Sequence, residues 1–250
     1  LPFTLLIRKD FVAGIGTQIA GALGFVTNFY EILSGGSYES QFVPHLFVHT
    51  WSLALEVHYY ILWGLAVWFL AKKSRSLGQF RGMIFLISTG IFLFSFLSMF
   101  VSSFFTKNFS SLYFSSWTHI FPFFAGTALA TVSGVQSVGA NFKKLEQSWS
   151  MKQTIATIGG GFAVLILLTF LLRFDNIFTY LVGFLLATIA ALAMILGARV
   201  LHEKTPKLAE PIWVTFIADT SYGVYLFHWP FYIIFSQLMG NAGAVVLTTL

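Results

Sequence analysis

The sequence predicts an all-α protein, a polytopic transmembrane helix bundle of about six or seven spans with truncated ends. Three observations carry that expectation. Charged residues make up 9% of the 250 residues and apolar ones 57%, where a soluble domain carries about 25% charge. Apolar runs near the ~20 residues needed to cross a bilayer recur at 51–71, 83–105, 113–134, 154–172, 177–198 and 220–239. Lysine and arginine then gather in alternate loops, as they do on the cytoplasmic side of membrane proteins.

Taken in order, the segment 11–30 is the most ambiguous. Gly14, Gly16, Gly21 and Gly24 with Gln18 and Asn28 suit a polar-lined span, a re-entrant piece or an interfacial helix. The run 51–71 opens with polar residues and ends at Lys72 and Lys73. The loop 72–82 holds Lys72, Lys73, Arg75 and Arg81; the loop 135–153 holds Lys143, Lys144 and Lys152; the loop 199–210 holds Arg199, Lys204 and Lys207. The opposite loops offer only Lys107 and Arg173, and 31–50 carries Glu31 and Glu39. The first set is therefore expected on the cytoplasmic side, which puts 51–60 and 113–119 near the outer face. Gly159-Gly160-Gly161 opens an apolar span and reads as a helix-packing feature. The chain opens at Leu1 inside a hydrophobic run and closes at Leu250 in what reads as half a helix. Residues 1–250 are expected to be one domain, incomplete at both ends.

Composition excludes some chemistry. There is no cysteine, so disulfides, thiolate metal sites and cysteine nucleophiles are ruled out for this stretch. The net charge of +5 sits in loops beside apolar runs and points to membrane lipid, not to nucleic acid. His45 and His49 are four apart, a metal-ligand spacing on a helix, but no carboxylate stands at a ligand offset; no metal is expected. No glycine-rich phosphate loop is present.

Three polar constellations interrupt the apolar runs. Ionisable groups cost at least ~2.5–3.5 kcal/mol each at the centre of a membrane helix, so those that persist usually serve a function. In the first, His49, Ser52, Glu56, Tyr60 and Trp63 fall on one helical face; Glu56 suits orienting a histidine or taking up a proton. In the second, Ser221, Tyr225, His228 and Tyr232 form another stripe, and Pro230 deprives the Leu226 carbonyl of its helical donor. A kink with an unpaired carbonyl is expected beside His228, which reads either as a hydrogen-bonded structural residue or as a group for substrate binding or proton transfer. In the third, Tyr113, Ser116 and His119 sit at the expected outer boundary. Tyr113 is either an interfacial anchor or a phenol able to carry an acyl group once a base takes its proton. At 1.5 Å rise per residue, Glu56 should lie about 8 Å from the outer end of its helix and His228 about 11 Å from the inner end of its own. About 10 Å of a ~30 Å core would then separate them.

The stretch Trp51-Ser-Leu-Ala-Leu-Glu-Val-His-Tyr-Tyr-Ile-Leu-Trp63 resembles the Trp-Ser-Leu-x-x-Glu-x-x-Phe-Tyr signature of the acyltransferase family 3 membrane proteins. Ser221-Tyr-Gly-Val-Tyr-Leu-Phe-His-Trp-Pro230 resembles their late Ser-Tyr-x-x-Tyr-Leu-x-His-x-Pro motif, in the right order. Within the family the chain is most similar to bacterial peptidoglycan and cell-envelope polysaccharide O-acetyltransferases. The resemblance implies transfer of an acetyl group from acetyl-CoA to a sugar hydroxyl outside the bacterial cytoplasmic membrane. It places Trp51, Ser52, Glu56 and Tyr60 on the first motif and Ser221, Tyr222, Tyr225 and His228 on the second. It puts Tyr113 where the envelope acetylases carry an acyl-relaying tyrosine. Val57 and His58 depart from the acidic residue and glutamine common there. Ser116-Trp-Thr-His119 stands where Thr-Asp-Thr-Arg is frequent, so His119 would meet an anion only when protonated. The family's arginine–histidine motif is expected upstream of Leu1. Glu56, Tyr113 and His228 are thus the catalytic candidates, and Trp51, Ser52, Tyr60, His119, Ser221, Tyr222 and Tyr225 the substrate-binding ones. A transporter of a small anion or lipid-linked sugar, with these polar residues at its midplane, is the competing class.

Overall fold

The computed structural model describes residues 14–35, 45–106, 108–133, 140–207 and 211–249. Every regular element among them is a helix, as the composition requires. Two short helices, α1 (Ile15–Leu23) and α2 (Thr27–Ser34), precede a single 3₁₀ turn at Val48–Thr50 that runs into α3 (Trp51–Lys73). Then follow α4 (Leu77–Ser103), α5 (Ser110–Phe114), α6 (Ser116–His119), α7 (Phe121–Ser133), α8 (Ala140–Ser148), α9 (Met151–Leu171), α10 (Phe184–Lys204) and α11 (Ile212–Thr249).

Four of these stretches are long and apolar enough to cross a membrane: 48–73, 77–103, 151–171 and 179–204. Their ends are built as helix ends should be. The Ser76 hydroxyl accepts from the Gln79 amide at 3.2 Å and starts α4. Ser150 and Gln153 form a reciprocal capping box at the start of α9, satisfying two amides that have no helical acceptor. Lys72 and Lys73 close α3, where cations suit the negative end of the helix dipole.

One expected span and the ambiguous segment before the first span are broken. The segment 11–30 holds α1 and α2 separated by Gly24–Val26, and Phe25 has a left-handed φ of 54°; helices of nine and eight residues are each only about 12–14 Å long. The segment 113–134 is divided among α5, α6 and α7. Ser115 stays extended (φ −70°, ψ 126°) while its hydroxyl caps the Trp117 amide at 3.2 Å, and Pro122 supplies the donor-free first turn of α7. The run 220–239 lies within α11, which is 38 residues long and bends at Gly240 (φ 78°).

The described residues fall into two compact units, one within 1–58 and 209–250, the other within 59–208. In the first, Leu46, Ile233 and Ile234 form the core, flanked by Ile15, Phe47, Trp229 and Tyr232. In the second, α9 packs along α10 and α4 along α7. Gly161 makes the α9–α10 approach possible, since a Cβ there would stand 2.9 Å from the Ala190 carbonyl. Gly159 and Gly160 face open space, so only the third glycine of the run is a packing residue. Arg199 of α10 donates from Nε to the Ser133 carbonyl at 3.1 Å, pairs with Glu203 and lies over the Phe142 ring. It thereby holds the end of α7 and the start of α8 against α10.

Candidate functional site

The first unit joins two of the three polar constellations. Pro230 leaves the Leu226 carbonyl without its helical donor, and His49 Nε2 donates to that oxygen at 3.2 Å. A carbonyl only accepts, so Nε2 carries the proton and Nδ1 keeps its lone pair. That Nδ1 is buried and has no hydrogen-bond partner. His228 is fixed the same way one residue back along α11: its Nδ1 donates to the Tyr225 carbonyl at 2.7 Å, leaving the lone pair on Nε2. The two imidazoles stand edge to face with centroids 5.4 Å apart. Two backbone carbonyls of one helix therefore set both tautomers and leave each ring one nitrogen with an uncommitted, proton-free lone pair.

Tyr225 completes the junction. Its hydroxyl donates to the His49 carbonyl at 2.7 Å and is 2.9 Å from the Ser52 hydroxyl; with its own proton committed, the phenol oxygen accepts from Ser52. The His49 ring lies edge-on to Tyr225 at 5.6 Å. The Glu56 carboxylate is near enough to interact electrostatically with the Tyr225 phenol. Trp51 is buried beside these groups in sequence, 7% exposed.

The expected gap lay between Glu56 and His228; the two stretches meet instead through His49. α11 begins at Ile212, not near 220, so His228 lies about 24 Å along it. His49, the residue that reaches α11, lies in the 3₁₀ turn ahead of α3. Three of the expected contacts are absent from the junction. Ser221 is exposed and its hydroxyl donates to the Ala218 carbonyl of its own helix. Tyr222 and Tyr60 are 59% and 63% exposed. Tyr60 stands eight positions from Ser52, far enough for a 3.6-residue period to carry it off the contact face, whereas Ser221 and Tyr222 lie within a turn of Tyr225 and precede the stretch of α11 that makes the contact.

The same unit contains a buried polar layer that the periodicities did not single out. Glu31 is 1% exposed, and both its oxygens lie 2.8–2.9 Å from His45 Nδ1. Thr27 and Thr50 bond through their hydroxyls at 2.9 Å, and Gln18 Oε1 accepts from the Leu46 amide at 2.9 Å. The available signal was Thr27, Asn28 and Glu31 on one face of a short helix, all fully buried. Glu31 had counted only as a loop charge. Among the described residues no group of three metal-type ligands gathers.

In the second unit, Tyr113 and His119 face one another with centroids 5.5 Å apart. Phe174 and Phe184 close round Tyr113 at 5.1 and 5.9 Å, and Phe184 meets the His119 ring edge-on at 4.6 Å. The turn that brings them together is clasped by Thr118 Oγ1 donating to the Leu112 carbonyl at 2.7 Å and by Ser95 donating to the Trp117 carbonyl at 2.8 Å. A pocket of 340 Å³ opens elsewhere in this unit between α3, α4 and α7, lined by Trp63, Phe80, Arg81, Ile84, Thr127 and Ala130 among others.

Residues 2–250 match the acyltransferase domain of acyltransferase family 3. The chain belongs to that family. It is 28% identical over 233 residues to the O-acetyltransferase OatA of Staphylococcus aureus strain NCTC 8325, covering 92% of this chain and 37% of OatA. It is 31% identical over 232 residues to the putative O-acetyltransferase SACOL0978 of S. aureus strain COL, covering 90% and 36%. The chain thus spans a little over a third of the length of these relatives. No solved structure matches. Membership makes the chain an acyltransferase domain, one that contains four helices of membrane-crossing length and apolarity among its described residues. In this acyltransferase the Trp-Ser-Leu and Ser-Tyr-x-x-Tyr-Leu-x-His-x-Pro stretches contribute Ser52 and Tyr225 to one hydrogen bond. Within the second stretch, Pro230 frees the carbonyl that His49 meets.

Proposed function

We propose that this domain moves an acetyl group from acetyl-CoA to a hydroxyl of a cell-envelope polysaccharide such as peptidoglycan, in the bacterial cytoplasmic membrane. The observation that carries the reading is the pair of imidazoles, His49 and His228, each locked in one tautomer by a backbone carbonyl. Proton transfer is what acyl transfer between a thioester and an alcohol requires of its enzyme. His228 is the proton-transfer group of this cluster. Glu56 supplies the negative charge that stabilises an imidazolium nearby, and Tyr225, Ser52 and Trp51 line the approach. Tyr113 is the acyl relay, with His119 as the base against its ring. The pocket beside Arg81 adjoins the loop rich in lysine and arginine and suits the phosphate-bearing donor. Ser221, Tyr222 and Tyr60, being exposed, suit contact with the acceptor or with lipid.

The test uses the full-length protein in vesicles with radiolabelled acetyl-CoA and an N-acetylglucosamine oligomer. Label should reach the oligomer, and Glu56→Gln should abolish transfer with the melting temperature kept. Normal transfer by E56Q overturns the role of Glu56. Movement of an anion across the vesicle without binding of the thioester favours the transporter class instead.

A further inference from the structure

The Glu31–His45 pair has no part in the cluster just described, yet it has the geometry of a catalytic couple. Glu31 sits in α2 with 1% of its side chain exposed, while the His45 side chain is 20% exposed. Both carboxylate oxygens lie within 2.9 Å of the same imidazole nitrogen, Nδ1. A carboxylate only accepts, so Nδ1 carries the proton and Nε2 is the nitrogen turned to other partners. The ring leans against Tyr30 with centroids 5.3 Å apart. Its backbone carbonyl accepts from Trp229 Nε1 at 3.0 Å, which anchors the pair one residue along α11 from His228.

A purely architectural purpose is already served nearby. The Thr27–Thr50 bond ties α2 to the turn before α3, and Gln18 ties α1 to Leu46. Both ties use neutral groups. Burying a carboxylate adds a desolvation cost that such ties avoid. We propose that Glu31 and His45 form a catalytic dyad in which His45 Nε2 is a general base for the acceptor hydroxyl and Glu31 orients it. The inference rests on the acyl-transfer reading. The hydroxyl oxygen attacks the acyl carbonyl carbon, its proton passes to His45 Nε2, and a new ester C–O bond forms. The acyl–carrier bond breaks, and the leaving thiolate or phenolate takes the proton back from His45. No further reactant is consumed. His45 is the group that touches the reacting hydroxyl, and Glu31 is a positioning residue.

Asparagine places its side-chain amide where the Nδ1–H of histidine stands but has nothing at Nε2, so His45→Asn separates the two roles. In full-length protein in vesicles, with acetyl-CoA as donor and an N-acetylglucosamine oligomer as acceptor, H45N should keep the wild-type melting temperature and donor KM. Its kcat should fall about 100-fold or more, the range a general base supplies. In His45→Gly, where the clasp is also lost, added imidazole should restore turnover in proportion to its concentration. H45N within threefold of wild-type kcat overturns the inference, as does loss in H45G that follows the unfolded fraction and does not respond to imidazole. Wild-type protein that binds acetyl-CoA and never labels the oligomer overturns the transfer reading and this dyad with it.

Discussion

At the scale of single residues, the site is a set of hydrogen bonds that decide where protons sit. Tyr225 holds two of them, to the His49 carbonyl and to Ser52. Tyr225→Phe deletes the shorter of the two hydroxyl donors to the His49 carbonyl, leaving only Ser52 at 3.4 Å, so it should cost about 1 kcal/mol, read as a lower melting temperature in detergent. Ser52→Ala keeps the donation to His49 and should cost less. Ser52, Tyr225 and the Leu226 carbonyl freed by Pro230 were legible from spacing and proline chemistry alone. The Glu31–His45 pair was not, because its partners lie on different elements and neither forms a stripe. Periodicity reports which residues share a face of one helix. It is silent on which two faces meet.

At the scale of elements, breaks and close approaches were harder to foresee than helices. The runs that became α3, α4, α9 and α10 are long and uninterrupted, so length and apolarity sufficed. In 113–134 the composition is equally apolar, but one extended serine with a capping hydroxyl and one proline divide the helix. Local hydrogen bonding overrode the average. The proline inside α11 makes a sharper prediction. Pro230→Ala restores an amide able to donate to the Leu226 carbonyl and so displaces His49 Nε2. Melting temperature should rise, since an interior proline costs a helix about 3 kcal/mol, while acetyl transfer falls. Stability and activity moving together would contradict this account of the proline. In the second unit, Gly161→Ala forces a Cβ against the Ala190 carbonyl and the Met194 side chain and should destabilise by about 1–3 kcal/mol. Gly160→Ala meets nothing and should be neutral or mildly stabilising, a contrast that two melting curves decide.

At the scale of the whole molecule, loop charge was the only guide to orientation, and it makes a direct prediction. The 250 residues contain no cysteine, so single cysteines can be read without background from this stretch. Gln147→Cys, in the lysine-bearing segment, should react with a membrane-impermeant maleimide only after the vesicle is opened to its cytoplasmic side. Asp175→Cys, between α9 and α10, should react from the outer side. The reverse pattern would invert the assignment of donor and acceptor faces. One feature of the fold also bears on how such proteins diverge. The Leu226 oxygen has a single vacancy, filled by an imidazole from a turn 177 positions away because a proline declines it. A lineage that loses the proline fills the vacancy from its own helix and releases the histidine from selection. A lineage that loses the histidine is left with an orphaned acceptor in an apolar setting. Residues 49 and 230 should therefore be inherited as a pair, lost together or kept together, even though neither side chain is asked to touch the other.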